Sequence, residues 1–79
     1  MRILDEISDK SLENVVLYLT VSEALELKDG LEDLLEKPMN NHIHISDESF
    51  QKEITVCVYD VDNLQGFNER SLKLIKTDS

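Results

Sequence analysis

Apolar residues recur along this chain with two different periods, and each period predicts its own element. Between His42 and Asp60, in HIHISDESFQKEITVCVYD, hydrophobic and polar residues alternate one by one, the signature of strands whose successive side chains point to opposite faces. Ile43 and Ile45 fall on one face of the first strand, His42 and His44 on the other. In the second, Ile54, Val56 and Val58 oppose Glu53, Thr55, Cys57 and Tyr59. A symmetric connection over Ser46 to Gln51 gives a hairpin with one apolar and one chemically mixed side. A one-residue slip would expose the isoleucines, so the pattern specifies the register.

Val15 to Thr20, VVLYLT, is rich in β-branched and aromatic residues and predicts another strand. Its Val15, Leu17 and Leu19 belong to the core face, and Val16, Tyr18 and Thr20 to the mixed face. MRILDEIS predicts a short first strand with Ile3, Asp5 and Ile7 on one face, followed by a polar turn from Asp9 to Asn14.

The period then changes. Thr20-Val-Ser-Glu23 fits a capping box, with Ser22 as an alternative cap. Ala24, Leu27, Leu31 and Leu34 recur at helical spacing, flanked by Val21 and Leu35. Gly30 inside this helix hints at a close contact, since glycine there costs up to about 1 kcal/mol relative to alanine. Lys37-Pro38 should end the helix, because the residue before proline is pushed out of helical geometry. Asn68 can cap a last helix running to about Lys76 with Leu72 and Ile75 inward, although SLKLIK also suits an edge strand. Asp60, Asp62 and Asn63 begin like a calcium loop, but Gly66 falls late and Leu64 occupies a ligand position, so a turn is expected. The predicted fold is a single α+β domain over 1–79. It has an antiparallel sheet of three to four strands, one long amphipathic helix on one face and a short C-terminal helix.

Size and charge narrow the function. A chain of 79 residues buries only about 60 to 65% of its unfolded surface, so a metal or a partner would matter to its stability. One cysteine cannot form an internal disulfide, and no run approaches the roughly 18 apolar residues of a membrane span. These features predict a cytoplasmic protein that does not engage a membrane. Seventeen acidic against eight basic residues leave a net charge of −9, which disfavours direct nucleic-acid binding and favours a basic protein surface as partner.

Two sets of residues carry candidate chemistry. On the mixed hairpin face, His42 and His44 lie roughly 6.6 to 7 Å apart along one strand, within reach of Cys57. With Glu53, or Asp47 as its alternative, they make a tetrahedral set for a structural Zn2+. The same Cys57 with either histidine is the one arrangement that would suit a small enzyme, as nucleophile and base or through a metal-activated water. No Gly-rich phosphate loop or oxyanion turn accompanies it, and a non-enzymatic role is expected. The second set is the polar face of the long helix. Glu26, Asp29, Asp33 and Glu36 recur at three, four and three residues, widened by Glu23 and Glu32. The row from Glu26 to Glu36 spans roughly 15 Å and can imitate a short phosphate track.

These residues predict an acidic binding protein that inhibits or regulates a partner with a basic surface, such as a nuclease. In size and charge, though in no motif, the chain is similar to phage-borne inhibitors of restriction or CRISPR nucleases. The alternative is an immunity or antitoxin-like partner of a cationic toxin.

Overall fold

The computed structural model of the protein describes residues 1–37 and 41–79. They form two compact units, one of Met1–Leu17 with Val61–Ser79 and one of Tyr18–Asp60.

The second unit is built on the alternating stretch. Strands β3 (His42–Ser46) and β4 (Glu53–Cys57) pair antiparallel, with His42 opposite Cys57, Ile43 opposite Val56, His44 opposite Thr55 and Ile45 opposite Ile54. This is the register that keeps every isoleucine and valine of the hairpin on one side. Ile45 is buried, while His42, His44, Thr55 and Cys57 are exposed. The connection closes symmetrically as expected, by the Asp47 N–H donating to the Lys52 carbonyl at 3.1 Å. Val58 and Tyr59 lie beyond the end of β4, both half-buried, so Tyr59 is not part of the mixed strand face.

Helix α1 (Val21–Glu36) starts on the capping box read from the sequence: the Thr20 hydroxyl accepts from the Glu23 N–H at 3.1 Å, and the Glu23 carboxylate from the Thr20 N–H at 2.8 Å. It ends at Glu36, with Lys37 donating its N–H to the Asp33 carbonyl; Pro38 lies outside the described residues. The helix packs on β3. Leu34 is buried, and Leu27 and Leu31 are half-buried, whereas Ala24, Val21 and Leu35 at the ends of the predicted stripe are exposed. Gly30 is the point of closest approach: a Cβ there would sit 2.6 Å from Ile43 Cδ1.

In the first unit, β1 (Leu4–Asp5) and β2 (Lys10–Ser11) pair as a short antiparallel hairpin, extended by the Leu12 N–H donating to the Ile3 carbonyl at 2.8 Å. The turn begins at Glu6, so the predicted first strand stops early and Ile7 is exposed in the turn instead of on a strand face. Asp5 anchors that turn. The Ser8 hydroxyl and N–H and the Ile7 N–H all stabilise its charged form, which holds its carboxyl below the ordinary value. Asn68 caps helix α2 (Glu69–Thr77), accepting from the Ser71 N–H at 2.8 Å, which decides between helix and edge strand for SLKLIK. Arginines bind the hairpin to this helix. Arg2 donates to the Leu74 and Ile75 carbonyls at the C-terminal end of α2, where a cation is favoured by the helix dipole, and Arg70 pairs with Asp9. The turn expected after Tyr59 is present, with the Asn63 side chain accepting from the Gln65 N–H and Gly66 at positive φ.

The expected sheet of three to four strands is corrected: the described residues form two separate two-stranded sheets. The missing member is Val15 to Thr20, which joins neither ladder. Its β-propensity describes a fit to a pleated surface, and propensity supplies no partner.

Candidate functional site

The two predicted sets both lie in the second unit. On α1, Glu26, Asp29, Glu32, Asp33 and Glu36 are all exposed. Glu32 meets Lys28 at 3.7 Å; among the described residues, no ion pair engages Glu26, Asp29, Asp33 or Glu36. Glu23 differs from the rest because its carboxylate is committed to the capping box and is half-buried. The α1 face is therefore a row of four uncompensated carboxylates with Glu32 partly neutralised beside it.

Opposite the first turn of α1 stands the β3–β4 connection, and between them is an open depression of about 270 Å³, bordered by Glu23, Glu26, His44, Asp47, Glu48 and Phe50. Asp47 organises the connection. Its carboxylate accepts from the Gln51 N–H at 2.8 Å, the Lys52 N–H at 3.2 Å and the Ser49 hydroxyl at 3.2 Å. The Lys52 N–H contributes most to holding this carboxyl below its ordinary value. Phe50 adopts φ 54, a left-handed conformation that costs a non-glycine residue roughly 1 to 2 kcal/mol, and its ring is exposed. Sequence reasoning missed Glu48 and Phe50. The available signal was an aromatic residue in an otherwise polar connection.

On the mixed hairpin face, the structure brings the four metal candidates into one neighbourhood but uses them differently. His44 Nδ1 lies 2.8 Å from the Glu53 carboxylate and 2.9 Å from the Thr55 hydroxyl. His42 Nδ1 lies 2.9 Å from Asn41 Oδ1, and the two rings meet edge-on with centroids 5.1 Å apart. A carboxylate only accepts, so the contact to Glu53 places a proton on His44 Nδ1 and leaves Nε2 as the nitrogen able to bind a metal. In this arrangement Glu53 orients His44, and Asp47 is occupied in the connection. Among the described residues no group of three or more His, Cys, Asp or Glu is arranged to hold a metal ion. Cys57 is exposed, contrary to the buried thiol common for a lone cysteine; it alternates with Val56, whose cross-strand neighbour Ile43 meets α1 at Gly30.

No helix among the described residues is long and apolar enough to cross a membrane. No protein-family model matches the chain, and comparison with curated proteins and with solved structures finds no match.

Proposed function

We propose that the protein is a small acidic binding module that occupies a basic, nucleic-acid-handling surface of another protein and thereby inhibits or regulates it. The observation that supports this most is the row Glu26, Asp29, Asp33 and Glu36, exposed along α1 without basic partners among the described residues. Like charges one turn apart repel by a few tenths of a kcal/mol, so the row carries a small standing cost that a cationic partner would relieve. Glu48 and Phe50 extend this surface at one end, where a lysine or arginine side chain could meet a carboxylate and an aromatic face together.

The test is capture of partners by tagged wild-type protein and by the double reversal Asp29→Lys and Asp33→Lys. A partner should be retained at low salt by the wild type and lost with the reversal, while the circular dichroism of the two proteins stays the same. Recovery of a nuclease whose activity falls on binding supports inhibition. Recovery of a small cationic toxin supports the immunity-like alternative. Equal capture by both proteins reduces the row to a solvated helix face.

A further inference from the structure

His42 and His44 stand together on the exposed face of β3 and take no part in the acidic row of α1. Each has its Nδ1 beside an oxygen that only accepts. For His42 this is Asn41 Oδ1 at 2.9 Å, and for His44 a Glu53 carboxylate oxygen at 2.8 Å, with the Thr55 hydroxyl at 2.9 Å beside it. Both rings therefore carry a proton on Nδ1, and in the neutral rings both Nε2 atoms keep an unshared pair. No hydrogen bond engages either Nε2 among the described residues. This is the arrangement of a histidine prepared as a metal ligand. An acceptor on the far N–H sets the tautomer, orients the ring and raises the basicity of the nitrogen that binds.

We infer that His42 and His44 chelate one zinc ion through their Nε2 atoms, in an open and exchangeable site where Glu53 is the orienting carboxylate of His44. The spacing of the rings fits. On one tetrahedral zinc, bonds of about 2.0 to 2.1 Å place two imidazole centroids about 5 Å apart, and these two centroids lie 5.1 Å apart. The donors select the ion, because imidazole nitrogen suits zinc and other transition metals, whereas calcium and magnesium take oxygen. With two protein donors the remaining positions fall to water, which agrees with there being no group of three or more ligating side chains among the described residues. A closed site of four protein donors keeps its ion through purification, but a two-donor site exchanges it with the buffer. Uptake of added metal is thus its mark. The site requires no protein partner, so it stands or falls independently of the acidic row.

The test is zinc chloride titrated into the full chain, purified without a histidine tag, with the imidazole nitrogens followed by NMR. The Nε2 resonances of His42 and His44 should move together and saturate at one equivalent per chain, while both Nδ1 stay protonated. These shifts are read on the wild type, so the test survives a variant that fails to fold. His42→Ala and His44→Ala should each weaken binding about tenfold or more, since a ligand matters at least as much as the group that orients it. Glu53→Gln removes the charge behind His44 and should weaken binding about tenfold. Cys57 stands opposite His42 in the ladder and is the rival donor, so Cys57→Ser should bind as tightly as the wild type. Zinc that moves neither Nε2 resonance, or that binds undiminished after both histidine substitutions, is held by carboxylates and overturns the inference. Loss of binding in Cys57→Ser overturns it as well, because the thiolate is then the ligand.

Discussion

Gly30 shows how one residue ties the helix to the hairpin. A Cβ at this position would clash with Ile43 Cδ1 at 2.6 Å while Cβ and Cγ1 of the same side chain stay at an ordinary 3.7 Å, so the obstacle is a single methyl group. Gly30→Ala gains up to about 1 kcal/mol in helix propensity and loses about 0.5 to 1.5 kcal/mol in forcing the Ile43 side chain aside, which leaves it near neutral. Ile43→Val removes that methyl. In that background Gly30→Ala should stabilise by about 1 kcal/mol, a coupling that a double-mutant cycle of denaturation midpoints would show. Asp47 governs the other end of the hairpin. Its carboxyl is held below the ordinary 3.8 by the Lys52 N–H first and then the Gln51 N–H and Ser49 hydroxyl. Its stabilising effect is therefore complete above pH 3.8 and disappears as pH falls through the lower folded value. The protection of the Gln51 and Lys52 amides relative to free-peptide exchange at the same pH, measured by NMR across this range, should fall in acid. The same two amides should exchange faster at neutral pH in Asp47→Ala. His42, His44 and Cys57 are decided by metal analysis of protein purified without a histidine tag. One equivalent of zinc and a Tm that falls on chelation would make them a structural site. Absence of zinc and an unchanged Tm would leave them as exposed strand residues.

At the level of elements, the capping box is the clearest determinant. Thr20→Ala leaves the Glu23 N–H without its acceptor and should destabilise the second unit by about 0.5 to 2 kcal/mol, read as a lower Tm. This start of α1 was legible because it depends on residues three apart, and the β3–β4 register was legible because alternation over a few residues encodes it. The close approach at Gly30 was visible for the same reason, as a residue that breaks a local preference. What escaped reading depends on contacts remote in sequence. VVLYLT has the composition of a strand, but nothing local says which strand would pair with it. SLKLIK could be read two ways until the Asn68 cap was seen to close on Ser71. Glu53 and Asp47 looked like metal ligands by type. The structure adds the contacts each makes, Glu53 with His44 and Asp47 with the loop amides, which composition does not show.

For the molecule as a whole, the balance of charge and core sets the account. Leu34 and Ile45 are the buried hydrophobic side chains among the described residues, carboxylates are in excess over the whole sequence, and the proposed role rests on the exposed acidic row of α1. Reversal of Asp29 and Asp33 also has a consequence without any partner. The two positions stay like-charged, now both positive, and position 33 comes to face Lys37, while the pairs with Glu26 and Glu36 turn from like to opposite charge; these changes of a few tenths of a kcal/mol each offset one another, so the Tm should stay close to that of the wild type. The most direct test of the central claim is the affinity of the captured partner for the wild type and for this reversed protein, measured over a salt series. The account predicts wild-type binding that weakens steadily as salt rises, and reversed protein that is folded but does not bind. Undiminished binding by the folded reversed protein would contradict it.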